Sequence, residues 1–157
     1  MFSAKVTQTK PNIYEQIKKN LRDLASKKVV AGFPKGKLNA PHYENGESII
    51  DVAISNNYGL GVPRRDFMTK STERWNEECQ KEVQAMGEDL TLGKINAIAF
   101  LKKLGMEGKK IITNEIIKLH TPPNSPLTIA MKGSSNPLID SGDMAKSTQY
   151  EIREASE

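Results

Sequence analysis

Apolar and polar positions alternate near both ends of the chain and follow a helical period between them. Residues 2–8 set Phe2, Ala4 and Val6 against polar neighbours, the period-two pattern of a half-buried strand. From Pro11 or Asn12 the period changes. Ile13, Ile17, Leu21 and Leu24 follow at steps of four, four and three, which predicts a helix with one apolar face. Lys28-Val29-Val30-Ala31-Gly32-Phe33 predicts a short strand that Pro34 ends. Residues 34–47 are rich in Gly, Pro, Asn and Lys and predict an exposed loop or arm, with Asn45-Gly46 as a tight turn. Ser48 and Asp51 have capping-box spacing, so a helix is expected to begin there and to stop near Tyr58-Gly59 on a left-handed glycine.

The longest helix is expected over about residues 64–90, with Pro63 at its entry. Its predicted buried stripe is Met68, Trp75, Cys79, Val83, Met86 and Leu90. A second helix is expected over 94–103, and Gly105 and Gly108 are expected to break or loosen the chain before a third that ends near Leu119. Ile111, Ile112, Ile116 and Ile117 exceed one narrow face, so that third helix is either deeply buried or shared with another subunit. Prolines 122, 123 and 126 end the helical part. A turn-rich stretch follows, then a short helix near 143–146 and a last strand over 147–153 with Thr148, Tyr150 and Ile152 on one face. The expected class is α+β: one domain over 1–157, with a small, mostly antiparallel sheet built from both chain ends and several helices packed on it.

Composition narrows the class. The apolar share is 37% and the charged share 27%, a balance that suits a folded chain rather than a disordered one. No apolar run approaches the ~20 residues of a membrane span, and Met1-Phe2-Ser3-Ala4-Lys5-Val6 lacks the charged leader and apolar stretch of a signal peptide. A single cysteine, Cys79, permits no internal disulfide, and two histidines cannot supply a histidine-rich metal site. No cofactor is expected. The net charge of +4 is uneven: residues 1–50 carry nine Lys/Arg against four acids, and 94–118 six against two, while 63–90 and 119–157 are each net acidic by two. Such alternation can set the register of a subunit interface.

Candidate chemistry is thin. Leu138-Ile139-Asp140-Ser141-Gly142 matches the surroundings of an aspartic-protease carboxylate, but those enzymes pair two such loops and this chain has one. Turn chemistry is the simpler account: Asp140 or Ser141 caps the following short helix and Gly142 relaxes the backbone. Gly32-Phe33-Pro34-Lys35-Gly36-Lys37-Leu38 is one residue short of a phosphate-binding loop, lacks the Ser/Thr after the lysine, and loses a backbone N–H at Pro34. Paired lysines at 18/19, 27/28, 35/37, 102/103 and 109/110 allow weak, non-specific DNA contact, yet arginines and aromatics are scarce and no reading motif is present. No residue is expected to be catalytic.

Two segments resemble the virion-morphogenesis proteins of tailed bacteriophages, of the neck and tail-completion type. The first runs from Val52-Ala53 through Asn56-Asn57-Tyr58-Gly59 to Val62-Pro63-Arg64-Arg65-Asp66-Phe67-Met68. The second is Pro123-Asn124-Ser125-Pro126, Thr128-Ile129, Lys132-Gly133, Pro137-Leu138-Ile139-Asp140-Ser141-Gly142-Asp143-Met144, then Ser147 and Tyr150. Asp66 stands where the family often has a second proline, and Ser141 where threonine is usual. The resemblance covers about residues 28–153. It implies a non-enzymatic structural protein that joins head connector and tail as part of a ring, with the head connector and the tail terminator or tail tube as partners, found in the virion and, during assembly, in the host cytoplasm. It also implies structural or interface roles for Asn56, Tyr58, Gly59, Pro63, Arg65, Phe67, Pro137, Leu138, Asp140, Ser141 and Gly142. On that resemblance Arg65 would bind a carboxylate or carbonyls bidentately, with a subunit boundary as one place for that contact. The alternative is a small nucleic-acid-binding or regulatory protein of a mobile element, whose DNA affinity would fall steeply with salt.

Overall fold

A computed structural model describes residues 13–34, 40–43 and 45–156. The strand expected over 2–8, the helix start at Pro11 or Asn12, and residues 35–39 of the expected loop lie outside the described residues. The described elements are α1 (Ile13–Ser26), β1 (Lys27–Gly32), α2 (Ile49–Tyr58), α3 (Phe67–Thr91), α4 (Ala97–Lys118), α5 (Pro126–Lys132), α6 (Asp143–Lys146) and β2 (Gln149–Glu154). The protein is α+β. Among the described residues a two-stranded antiparallel sheet joins the N- and C-terminal regions, with Lys27 opposite Glu154 and Gly32 opposite Gln149.

α3 and α4 form a hairpin, closed by the Asn96 side chain, which accepts from the Ile98 and Ala99 N–H groups at the start of α4. α4 is the spine. Near its first half, Leu90, Ala97, Phe100 and Leu104 form one apolar cluster against Leu24 and Val29. Near its second half, Phe67, Ile112, Ile116, Leu138 and Met144 form another, reached from the sheet side by Ala31 and Phe33. Val29 and Ala31 share one face of β1, as the strand period requires, so the sheet bridges both clusters.

Several expectations need correction. The helices expected over 94–103 and beyond are one unbroken helix, and Gly105 and Gly108 lie buried inside it. A Cβ on Gly105 would stand 2.3 Å from Tyr150 Cδ2 and 2.9 Å from Val29 Cγ2; one on Gly108 would stand 2.5 Å from Trp75 Cε2. These glycines allow close approach; they do not stop the helix. The tertiary contacts outweigh the ~1 kcal/mol that glycine costs a helix. The predicted stripe of α3 fails at Val83, which is 53% exposed, while Phe67 and Ser71 are buried. On α1, Ile13 and Leu21 are exposed and the buried residue is Asn20. Its amide donates to the Leu90 carbonyl at 3.0 Å and the Ile95 carbonyl at 2.7 Å, and its oxygen accepts from the Ala97 N–H. The helix turns this face toward the α3–α4 connection because the free backbone groups there need partners. Ile112 and Ile116 are buried, Ile117 is exposed and Ile111 lies between.

Candidate functional site

The segment joining α2 to α3 builds the site. Ser48 and Asp51 form the capping box that starts α2, with the Ser48 hydroxyl accepting from the Asp51 N–H and the Asp51 carboxylate accepting from the Ser48 N–H. Gly59 ends α2 at φ 76°. A Cβ there would meet Arg64 Cβ at 3.0 Å, so glycine is needed both for the left-handed turn and for the chain that doubles back against it. The reversal brings the Arg65 N–H to the Asn56 carbonyl at 2.7 Å. Asn57 then caps the next helix, its oxygen accepting from the Met68 N–H at 3.0 Å. Asp66, at the N-cap position, makes no capping bond and pairs with Lys70 instead.

Arg65 is 4% exposed. Its Nε donates to the Pro122 carbonyl at 3.2 Å, Nη1 to Asn56 Oδ1 at 2.6 Å, and Nη2 to the Pro123 carbonyl at 3.4 Å and to Asn124 Oδ1 at 3.0 Å. Asn124 donates onward to the Asn136 carbonyl, and Asn136 donates to the Ile117 carbonyl near the end of α4 at 2.7 Å. A polar relay thus runs from α2 through Arg65 to α4. Burial holds the Arg65 pKa below the ordinary guanidinium value.

Around this relay lies a cleft of about 820 Å³. One wall is α5, which contributes Thr128, Met131 and Lys132; another is the 137–144 turn; His42 and Tyr43 close the far end. Lys132 is half-buried, and its ammonium donates to the Pro137 carbonyl at 3.4 Å. Burial and then the nearby Arg65 charge push its pKa down, against an upward pull from Asp140. At the far end, His42 Nε2 sits 3.0 Å from Asp143 Oδ2, and the Ser141 hydroxyl donates to the same carboxylate. These two bonds, with Lys146 nearby, hold the Asp143 pKa below its ordinary value.

Of the residues singled out in the sequence, Asn56, Arg65, Pro137, Leu138, Asp140, Ser141 and Gly142 line this one cleft. Phe67 is fully buried in the neighbouring core. Tyr58 is exposed and lines a separate groove of about 420 Å³ on the far side of α2, beside Val30 and Ile54. Pro63 is exposed on the linker and stands outside both. The expected cap on α6 is corrected. Gly142, at φ 81°, holds the N-cap position, and Ser141 reaches only the Asp143 N–H, at 3.4 Å. Asp140 is exposed and has no hydrogen bond or ion pair among the described residues. The turn before α6 is locked by Asn136, whose oxygen accepts from the N–H groups of Leu138 and Ile139. Asn124 and Lys132 lie in the resembling segments and Asn136 in the turn-rich stretch, but sequence reasoning gave none of the three a role at the site. The Asn-Pro pair at 136–137 was a usable turn signal; Lys132 was marked only as part of the Lys132-Gly133 block.

Among the described residues no group of three His, Cys, Asp or Glu side chains could hold a metal ion, and no helix is long and apolar enough to cross a membrane. Cys79 is half-buried against the apolar cluster of α3 and α4, and burial pushes its thiol pKa up, away from thiolate chemistry. No family model, no curated protein and no solved structure matches the chain.

Proposed function

We propose that this chain is a structural virion protein of a tailed bacteriophage, acting in the neck or in tail completion as one subunit of a ring between head connector and tail. The observation that carries the reading is the convergence of its two resembling segments. Asn56 and Arg65 come from the first and Pro123 and Asn124 from the second, and Arg65 bonds to Asn56 and, across 58 and 59 residues of chain, to Pro123 and Asn124. The shared sequence pattern therefore corresponds to one physical junction, which places two loops and α5 at the surface. α5 has no buried residue, and its Leu127 and Met131 are 71% and 80% exposed. The outer edges of β1 and β2 have no strand partner among the described residues, and an unpaired strand edge is a place where a neighbouring chain can add. A heterologous contact that closes on itself gives a ring.

Sedimentation velocity and negative-stain images of the purified protein, alone and mixed with a head-connector or tail-tube protein of the same phage, test this. Rings or ring-on-ring complexes are expected. A strict monomer that binds neither component would overturn it.

A further inference from the structure

The groove of about 420 Å³ beside Tyr58 is lined chiefly by apolar side chains. β1 and β2 turn Val29, Ala31 and Tyr150 toward α4, so the other face of the sheet carries Val30, Gly32, Glu151 and Arg153. That face and α2 form the groove, with Phe33, Ile50, Ile54, Tyr58 and Met68 around it. Val30, Ile54 and Tyr58 are 37%, 43% and 66% exposed. The charged residues that line it are Glu151 and Arg153, and they pair with each other. It therefore suits a neutral, apolar occupant, since a charge buried there would lack a partner.

Residues 2–8 of this chain have that character: Phe2, Ala4 and Val6 fall on one side of an alternating pattern. Chain length keeps them from filling the groove of their own molecule. Gln16 and Ile17 lie against Gly93, just past the end of α3, whereas Gly32 in the groove lies against Met68 at the start of α3. A helix of 25 residues separates the two places, about 37 Å of it. The chain from Ile13 back to Val6 spans at most about 25 Å. Val6 falls short of its own groove; the groove of an adjoining molecule is under no such limit.

We propose that in the assembled ring this groove receives residues 2–8 of a neighbouring copy of the chain, with Phe2, Ala4 and Val6 against Val30, Ile54 and Tyr58. The contact is heterologous: one end of each subunit gives the segment and the other end receives it, and such contacts repeat around a ring. The length of α3 between donor and acceptor supplies the two ends that this repeat requires. The proposal rests on the ring reading for the presence of the neighbouring copy.

The test is cross-linking of the full chain in a Cys79→Ala background. Val6→Cys and Ile54→Cys are made in separate proteins, one with a mass tag, then mixed and treated with a short bismaleimide. A heterodimer of one of each is expected in the mass spectrum. An excess of a synthetic peptide of residues 1–12 should suppress it, and the same peptide carrying Phe2→Ser and Val6→Ser should not. Phe2→Ser in the Val6→Cys protein should lower the yield about tenfold, through the loss of one buried aromatic side chain. Absence of the heterodimer would overturn the proposal. So would a link inside single molecules of the doubly substituted Val6→Cys/Ile54→Cys protein at high dilution, which would give the groove to the chain's own segment. So would a link from Leu127→Cys on α5 in place of the one from Val6→Cys, which would give it to another element. Ring formation is read separately by sedimentation. Rings that form while these two variants fail to link sink this inference alone. Copies that link but bind neither connector nor tail component and never close into rings sink the ring reading alone.

Discussion

At Gly105 the α4 backbone meets the sheet with only a hydrogen atom between them, whereas at Arg65 a long, charged side chain fills the junction. The first contact works by absence: Tyr150 and Val29 occupy the volume that a Cβ would need. The second works by saturation: four oxygens from two places in the chain converge on one guanidinium. Both bring together segments far apart in sequence, but they fail differently. A crossing built on shape tolerates no added volume. A junction built on hydrogen bonds tolerates no lost donor. The contrast also separates their uses. The glycine crossing is buried and serves the core, while the arginine junction lies beside a cleft open to solvent and presents loops outward.

The most severe test of the comparison is Gly105→Ala. Alanine improves helix propensity, so an isolated α4 would gain. In the protein its methyl group would overlap the Tyr150 ring, and overpacking of this kind costs about 3 kcal/mol. Urea unfolding should show a large fall in midpoint. A double-mutant cycle with Tyr150→Ala should return much of it, because the second change removes the obstructing ring. Independent, additive effects would show that shape is not what holds this crossing.

Arg65→Lys comes next. Lysine keeps the charge but cannot reach two carbonyls and two amides at once. The expected loss is about 2 kcal/mol, from buried acceptors left without a donor. Its character should differ from that of Gly105→Ala. Hydrogen exchange should speed up in residues 122–138, which the relay through Asn124 and Asn136 holds, before it does so in α3 and α4. Uniform acceleration across all elements would mean that Arg65 supports the core and not this junction in particular.

A third, smaller effect is expected at Asn20, which combines both modes: it is buried like the glycines and bonds like the arginine. Asn20→Ala removes two donors and one acceptor from the α3–α4 connection and should cost about 1.5 kcal/mol in thermal or urea unfolding. A neutral result would assign the closure of the hairpin to the Asn96 cap alone.

The same contrast explains what could be read from the sequence. The capping box at Ser48 and Asp51, the left-handed Gly59 and the pairing of N- and C-terminal regions in one sheet were legible, because each depends on neighbouring residues or on alternation along a strand. Gly105 and Gly108 misled because a helix-breaking tendency is local while their use is tertiary: the partners, Tyr150 and Trp75, lie on other elements. Asn20 was hidden in the same way. A polar residue on an apolar face looks like an interruption until the backbone groups it satisfies are known. At the cleft, Arg65, Asn56 and the 137–142 turn stood out through a shared pattern, but the relay that joins them did not. Asn124 and Asn136 act through distant carbonyls, and no spacing rule encodes that.

Acidity gives the gentlest way to separate the two ends of the cleft. Asp143 accepts from Ser141, bonds with His42 and lies near Lys146, and these contacts hold its pKa below the ordinary value of 3.8. A carboxyl group whose pKa is lowered by folding adds stability that is fully present above its unfolded value and is lost as pH falls through the folded one. The gain is small, on the order of a few tenths of a kcal/mol, because the pair is largely exposed and screened by salt. Asp143→Asn should therefore lower the urea midpoint slightly at neutral pH. The gap to wild type should narrow as pH drops below 3.8. The Arg65 end has neutral acceptors only, and arginine does not titrate in this range. The loss caused by Arg65→Lys should accordingly stay constant over the same pH interval. If the Asp143→Asn gap were also independent of pH, the His42–Asp143 contact would carry no electrostatic share of the stability, and the cleft would be held from the arginine end alone.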